Sequence, residues 1–152
     1  YRYRSASPAA EATVILFAVG PTVPEALAAV EPLAEEGIDA SVFVVTSPDL
    51  LYRKFRAAAR DEADGQLDGP FDPTGLLADF EVGRPVVTVI DGHPQALSFL
   101  GSALDCPSVS LGVDAFGQSG SRAELYGWFR IDAEGIFAAA LGLVDRERRR
   151  RA

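Results

Sequence analysis

The residue types that could do chemistry are concentrated in one stretch of the sequence, residues 111–129. The apolar run over 108–113 predicts a strand, and the glycine-rich residues 114–120 that follow it predict a loop. Ser121, with Glu124 three residues later, forms a capping-box pattern and predicts that a helix begins there. A loop between the carboxyl end of a strand and a helix start is where open α/β sheets commonly bind ligands. This stretch is therefore the first candidate site.

Seven side chains in or near the stretch are candidates for an interface or an anion-binding loop. Arg122 stands in a first helical turn, where the helix dipole disfavours a cation, so it is expected to pair with a carboxylate or an anion. Asp114 can accept N–H groups of its own loop. Aromatic residues beside a glycine loop favour a protein interface if they are exposed. The full set is His93, Asp114, Phe116, Gln118, Ser119, Arg122 and Trp128.

The sequence lacks the motifs of several enzyme classes, and it predicts no catalytic, cofactor-binding or metal-binding residue. Residues 117–120 (GQSG) do not have the G-x-S-x-G spacing of a serine nucleophile, so Ser119 is interpreted as a loop hydroxyl. Gly20-Pro21-Thr22 follows the first apolar run, where a dinucleotide fingerprint would need G-x-G-x-x-G. His93 is the only histidine, which excludes a multi-histidine metal centre. It is interpreted as a turn residue, with a general base as the alternative.

The composition of the chain argues against several further classes of protein. The chain has 152 residues, and its formal net charge of −8 argues against a nucleic-acid partner. The single cysteine, Cys106, excludes an internal disulfide and fits a reducing, cytoplasmic setting. The longest apolar runs are too short to cross a membrane. We expect one domain over residues 1–145 and a disordered basic tail over 146–152, and the absence of an initiating methionine suggests a portion of a longer protein.

Strand and helix patterns alternate along the chain, which predicts a mostly parallel sheet with helices on both faces. Thr22 and Glu25 suggest a capping box at the first helix start, and Pro32 is expected to kink or shorten that helix. An acidic loop is expected over 61–72 and a short helix over 74–80. Buried strands are predicted at residues 13–19, 40–45, 85–90 and 108–113, with helices at 22–37, 48–60, 94–104, 122–129 and 133–145.

Residues 112–122 (GVDAFGQSGSR), followed by Ile131-Asp132-Ala133, resemble the C-terminal domain of transketolase-like enzymes. The resemblance is closest to the homodimeric decarboxylating component of pyruvate dehydrogenase complexes. Upstream, residues 14–20 and the strand and turn over 86–94 are similar to the same domain. The resemblance implies a three-layer α/β/α fold with a five-stranded sheet. Residues 1–4, which carry only a weak strand pattern, would then supply an antiparallel edge strand.

The resemblance also implies a function, because transketolase-like enzymes bind thiamine diphosphate and a divalent metal between two other domains. Their metal motif pairs G-D-G with asparagines, and this chain contains no asparagine. Thiamine diphosphate and magnesium are therefore expected only in a full-length enzyme, an oxidoreductase or a transferase. This chain is expected to support a homodimer, to pack with other domains of the same enzyme beside the active-site entrance, and to catalyse nothing alone.

Two features leave the function open. Gln118 and the turn Asp91-Gly92-His93-Pro94 depart from the commoner pyruvate dehydrogenase pattern, so the substrate is not predicted. The alternative is a stand-alone α/β module that binds a ligand or a protein and has no enzymatic activity.

Overall fold

Strand β2 (Ala12–Val19) is the centre of the fold, because its continuous apolar run can be buried on both faces of a sheet. The computed structural model describes residues 1–65, 75 and 77–151, apart from the side chains of Glu62 and Arg151. Five strands form one sheet in the spatial order β1-β3-β2-β4-β5. The other strands are β1 (Arg2–Arg4), β3 (Ile38–Val44), β4 (Val86–Ile90) and β5 (Ser108–Leu111).

Strands β2 to β5 are parallel, and β1 pairs with β3 in the antiparallel direction. The predicted mixed sheet with one antiparallel edge strand is therefore confirmed, and so are helices on both faces. The helices are α1 (Val23–Ala28), α2 (Val30–Glu35), α3 (Pro48–Ala63), α4 (Gln95–Ala103), α5 (Arg122–Phe129) and α6 (Ala133–Arg151), with 3-10 turns at Gly20–Thr22 and Asp79–Glu81.

The two faces of the sheet bury separate clusters. Side chains of α1, α2, α5 and α6 pack on one face around Leu16 and Val87. Side chains of α4, with the half-buried Leu51 of α3, pack on the other face around Phe17 and Phe43, whose ring centroids are 5.1 Å apart. No helix among the described residues has the length and apolar character needed to cross a bilayer.

The structure corrects the predicted start of the first helix and the predicted end of the last helix, and it confirms the interruption expected near Pro32. Thr22 does not cap a helix, because its buried hydroxyl lies 3.0 and 3.1 Å from the carbonyl oxygens of Val19 and Val89. The helix containing Pro32 is interrupted at Ala29, as a proline without an N–H predicts. Helix α6, predicted to end at residue 145, continues to Arg151, because its first half is anchored in the core and arginine is a good helix former.

Residues 61–63 of the predicted acidic loop are the last turn of α3, and residues 66–72 lie outside the described residues. The predicted helix over 74–80 falls partly outside them, and a 3-10 turn at Asp79–Glu81 stands at its end. The division of the chain into a domain over 1–145 and a tail stays a prediction.

A buried carboxylate connects the edge strand to the rest of the fold. Glu81 is fully buried, and its carboxylate receives hydrogen bonds from Ser41 Oγ (2.5 Å) and the Ala78 backbone N–H (2.7 Å). Arg2 of β1 forms an ion pair with it, Nη2 to Oε2, at 2.5 Å. A second pair joins Arg4 to Asp39 at 2.8 Å. Side chains therefore supplement the few backbone bonds of a three-residue strand.

The junction between α5 and α6 is tight. Arg130 has a left-handed backbone (φ 56°), and the Ile131 N–H returns to the Tyr126 carbonyl at 2.9 Å, which closes α5. Asp132 Oδ1 then accepts the Gly135 N–H at 2.9 Å and caps α6, as the sequence predicts. A Cβ at Gly135 would stand 2.2 Å from the Arg130 carbonyl oxygen, so the junction requires glycine there.

Candidate functional site

The parallel strands direct three loops to one edge of the sheet, and a groove of about 560 Å³ lies between them. Strand β2 lies between β3 and β4, so the chain connections run in opposite directions from this point, where α/β sheets commonly bind ligands. Pro21 follows β2, Asp91 follows β4, and Val113 follows β5. Helix α5 forms the remaining wall. The full lining is Pro21, Asp91, Val113, Ala115, Phe116, Gly117, Gln118, Arg122, Leu125, Tyr126, Phe129 and Ile131.

A close approach of two loops shapes the groove. The Val113 N–H donates to the Gly92 carbonyl at 2.8 Å. A Cβ on the neighbouring Gly112 would lie 2.5 Å from that carbonyl oxygen and 2.8 Å from the Pro94 nitrogen, so only glycine fits without a backbone shift. Gly117, with φ 95°, turns the loop on the other side of the groove. The glycines that marked this stretch in the sequence thus have distinct backbone roles.

The predicted capping box is present at the start of α5. Glu124 Oε2 accepts from the Ser121 N–H at 2.8 Å and from Ser121 Oγ at 2.7 Å. The Glu124 N–H in turn donates to Ser121 Oγ at 3.4 Å. The Ser121 hydroxyl and N–H lower the pKa of the Glu124 carboxyl, because they stabilise its charged form. The box sets where α5 begins and so positions its groove-facing side chains.

The polar side chains of the groove make two connected sets of contacts, one between Tyr126 and Asp91 and one around Arg122. The Tyr126 hydroxyl donates to Asp91 Oδ2 at 3.1 Å. Burial, and after it the hydrogen bond and negative charge of Asp91, raise the pKa of Tyr126, while the nearby Arg122 acts in the opposite direction. Tyr126 is therefore a neutral donor near pH 7. Its hydroxyl fixes the orientation of Asp91, the only carboxylate among the described residues that line the groove.

Arg122 joins the groove to helix α1. Its guanidinium donates to the Pro21 carbonyl at 2.9 Å and to Glu25 Oε1 at 3.4 Å, and it lies 4.8 Å from the Tyr126 ring centroid. The expected pairing of Arg122 with a carboxylate is thus present. An exposed pair of this kind stabilises a fold by less than about 1 kcal/mol, so its main effect is to orient the arginine.

The structure brings together some of the predicted site residues and separates others. Phe116, Gln118 and Arg122 line the groove, whereas His93, Asp114, Ser119 and Trp128 do not. Phe116 is fully exposed and Trp128 is 67% exposed, so the two aromatics do not form one packed cluster. His93 is an exposed turn residue whose Nδ1 accepts the Gln95 N–H at 3.3 Å.

Two polar residues that meet in the groove were not among the seven sequence candidates. Asp91 and Tyr126 are 35 positions apart, and no motif connects them. Asp91 could have been identified from its position directly after a buried strand, in the same turn as the candidate His93. Tyr126 is recognisable only as the groove-facing position one helical turn after Arg122.

The titratable groups of the described residues do not assemble into a metal centre or an activated thiol. No group of three or more His, Cys, Asp or Glu side chains that could hold a metal ion occurs among residues 1–65, 75 and 77–151, setting aside Glu62. Burial, and after it the charge of Asp105, raise the pKa of the Cys106 thiol from its usual 9.0 to about 11. Cys106 is therefore protonated near neutral pH and is a poor nucleophile.

We expect Cys106 to react slowly with iodoacetamide in the folded protein. A pKa raised by two units leaves roughly 100-fold less thiolate at pH 8, and the thiolate is the reacting form. Alkylation followed by intact mass should therefore accelerate sharply when the chain is unfolded in urea. Equal rates in the two states would contradict a raised thiol pKa.

Most of this chain is similar in sequence to one known family of proteins. The family model of the transketolase-like TK C-terminal domain matches residues 1–132. The pyruvate dehydrogenase E1 component of Mycolicibacterium smegmatis is 31% identical over 154 aligned residues, which cover 97% of this chain and 16% of that protein. The chain thus spans about a sixth of the length of this relative.

Similar solved structures show the same fold at lower identity. A transketolase from Pichia stipitis, in complex with xylulose 5-phosphate, superposes with a TM-score of 0.66 at 22% identity, over 97% of this chain and 18% of that one. A split-gene transketolase, solved as an inactive β4 tetramer, superposes with a TM-score of 0.54 at 22% identity, over 88% of this chain and 39% of that one. The matched sequence and the mixed five-stranded sheet together show that this chain belongs to the transketolase-like C-terminal domain family.

Proposed function

We propose that this chain is the C-terminal domain of a thiamine-diphosphate-dependent enzyme, either a 2-oxo acid dehydrogenase of the pyruvate dehydrogenase type or a transketolase. The observation that carries the proposal is the 31% identity to a pyruvate dehydrogenase E1 component across nearly the whole chain. In such an enzyme the domain supports assembly and packs beside the active-site entrance. It contributes a surface rather than catalytic groups.

The groove does not fit thiamine diphosphate and its magnesium ion. Magnesium prefers several oxygen ligands, and Asp91, which is the one carboxylate in the described part of the groove lining, already accepts a hydrogen bond from Tyr126. A diphosphate needs several cations or free N–H groups, and Arg122, whose Nη2 is bonded to Pro21 and Glu25, is the only cation among the described residues of the groove lining. No catalytic step is therefore assigned to residues of this chain.

The proposed setting is a cytoplasmic homodimer in which the other domains of the same enzyme are the partners. Exposed aromatic side chains support an interaction role, because Phe116 and Trp128 both face solvent. Large exposed apolar groups on a domain commonly mark surfaces that another domain or subunit covers. The relative solved as a β4 tetramer, which this chain covers in part, is also an assembly of several copies.

Cofactor binding tests the proposal. Isothermal titration of the full-length gene product with thiamine diphosphate and Mg²⁺ should show binding, whereas the 152-residue chain should show none. Micromolar binding by the 152-residue chain would overturn the domain assignment. Sedimentation of the same chain tests the role in assembly, and a strictly monomeric species at high concentration would count against it.

A second candidate function is a stand-alone module that binds a small ligand. The groove favours it, because about 560 Å³ of largely apolar space with a few convergent polar groups is typical of ligand sites. The native polypeptide distinguishes the two candidates. A gene product that begins near Tyr1 would favour the module, and one that extends several hundred residues upstream with G-D-G and paired asparagines would favour the enzyme.

A further inference from the structure

We propose that the end of helix α6 is a docking surface for a carboxylate-rich segment of another protein. This basic helix end is residues 146–151, which contain five arginines and one glutamate. It lies outside the groove, and the match to the family model stops at residue 132, just before α6 begins. The surface does not depend on the proposed function, and it adds a class of binding partner to the chain.

The basic helix end extends past the core at the amino edge of the sheet. The last core side chains of α6 are Leu143 and Val144, so the residues after them add about 10 Å of helix. Arg146 and Arg150 line an open cleft at the start of β5, and Arg148 lines another beside the starts of β2 and β4. The arginines therefore reach two sides of the helix, at the opposite edge of the sheet from the groove.

The charge of the chain is segregated between this helix end and the rest. The formal net charge is −8, and residues 146–151 carry +4, so the remaining residues carry −12. Arg146 and Arg150 are four positions apart, a spacing at which like charges on a helix repel each other. A partner that brings carboxylates to this surface would relieve that repulsion, and its charge would be complementary to the helix end.

The guanidinium groups of the basic helix end are available to a partner. Arg146 and Arg149 are exposed, and their guanidinium groups have no ion-pair or hydrogen-bond partner among the residues that the structure describes. Arg148 and Arg150 form only exposed pairs, at 3.5 and 3.4 Å, with acidic residues three positions earlier in the helix. Such pairs contribute little in water, whereas an arginine can hold an incoming carboxylate through two parallel N–H···O bonds. Arginine clusters are a recurrent means of recognising acidic peptide motifs.

The two clefts favour an extended segment over a compact anion. Asp105 lines the first cleft and Glu11 lines the second, so a phosphate-sized ion in either one would lie near a carboxylate. An extended segment can instead run along the outside of the helix. The rise from Arg146 to Arg150 is about 6 Å, and alternate residues of an extended chain are about 6.7 Å apart. Acidic side chains at every second position therefore match the spacing of these arginines.

Two other classes of anionic partner fit this surface less well. A helix that binds a membrane surface needs an apolar face, and residues 145–151 contain no apolar side chain. Nucleic acid is a long polyanion, and the charge of −12 on the rest of the chain opposes its approach. A short acidic segment responds mainly to charges within a Debye length of about 8–10 Å, so the nearby arginines matter most for it.

Fluorescence anisotropy of the full-length gene product tests the docking surface. The probe is a fluorescein-labelled peptide in which glutamate alternates with threonine, and its matched control has glutamine in place of glutamate. We expect saturable binding of the glutamate peptide at low salt, weaker binding as NaCl is raised, and no saturable binding of the glutamine peptide.

A triple substitution in α6 locates the binding site of the peptide. The variant Arg146→Ala/Arg148→Ala/Arg150→Ala should weaken binding at least about tenfold, because it removes three of the charges that hold the peptide. Alanine is a good helix former, so circular dichroism should show an unchanged fold. Glutamine at the same three positions provides a second variant if the alanine variant folds poorly.

A matched variant in α3 controls for net charge. The variant Arg53→Ala/Arg56→Ala/Arg60→Ala removes three exposed arginines of another helix and changes the net charge equally. It should change the affinity for the glutamate peptide by less than about twofold, because its positions do not belong to the basic helix end.

Four outcomes would overturn the proposal. Equal weakening by the two triple variants would show that the peptide responds to total charge, and a lack of saturable binding would show that no docking surface exists. Tighter binding of a single-stranded oligonucleotide, or of phosphatidylserine vesicles, that is lost in the α6 variant would assign the surface to another class of partner. None of these results bears on the proposed function, which titration with thiamine diphosphate tests separately.

Discussion

Replacing Glu81 with alanine is expected to lower the free energy of unfolding by about 3 kcal/mol. The substitution leaves the buried Ser41 hydroxyl and the Ala78 N–H without this acceptor and removes the carboxylate that forms an ion pair with Arg2. Breaking a buried charge pair costs about 3–5 kcal/mol, and the lower end applies because Arg2 is partly exposed and can be hydrated. Urea unfolding of the 152-residue chain, followed by circular dichroism, measures the change.

Two variants make the Glu81 experiment specific. Glu81→Gln keeps an acceptor for Ser41 and should be less destabilised than the alanine variant. Glu31→Ala removes an exposed carboxylate and should change stability by less than about 0.5 kcal/mol. Equal effects of Glu81→Ala and Glu31→Ala would refute the assigned role of the buried carboxylate.

Replacing Gly135 with alanine is expected to destabilise the protein by about 2–3 kcal/mol. The new Cβ would stand 2.2 Å from the carbonyl oxygen and 2.5 Å from the carbonyl carbon of Arg130, so the backbone between α5 and α6 must move. That movement would disturb both the left-handed turn at Arg130 and the Asp132 cap. Differential scanning calorimetry should show a clearly lower Tm.

Gly142 in the same helix provides the matched control. A Cβ at Gly142 would meet nothing within 4 Å, so Gly142→Ala removes only the conformational cost of glycine in a helix. That variant should be stabilised by up to about 1 kcal/mol. If both alanine variants had the same sign of effect, the steric explanation for Gly135 would fail.

The parts of the fold that follow from local patterns were predicted from the sequence. The buried strands were identified within about two residues of their ends, because β2 and β4 are mostly apolar runs, with Gly20 after β2 and Pro85 before β4. The bounds of α5 matched as predicted, since Ser121 and Glu124 mark its start. The edge strand β1 came from the resemblance, because three residues carry too little periodicity to indicate a strand alone.

The errors have physical causes that lie outside local sequence. Thr22 has the residue type of a cap, but the carbonyls of Val19 and Val89 engage its hydroxyl, and Val89 is 67 positions away. The end of α6 was placed too early because arginine-rich residues resemble a solvated tail, yet arginine is also a good helix former.

The candidate site was predicted in part. The loop after β5 and the start of α5 were identified, because glycines and a capping box are local signals. The groove itself depends on loops that follow β2 and β4, so Pro21 and Asp91 join it only through the strand order. Long-range adjacency of this kind is set by tertiary structure and leaves no spacing in the sequence.

The central position of β2 has a consequence for synthesis of the protein. Ile15 pairs with Ser41 on one side and with Val86 on the other, so the second partner is translated long after the first. Until then β2 exposes an uncharged, unpaired edge, the kind of strand that recruits other chains. Nascent or truncated polypeptides that end before Val86 should therefore depend on chaperones for solubility, and folding of the whole domain should be slow, as expected for nonlocal strand pairing.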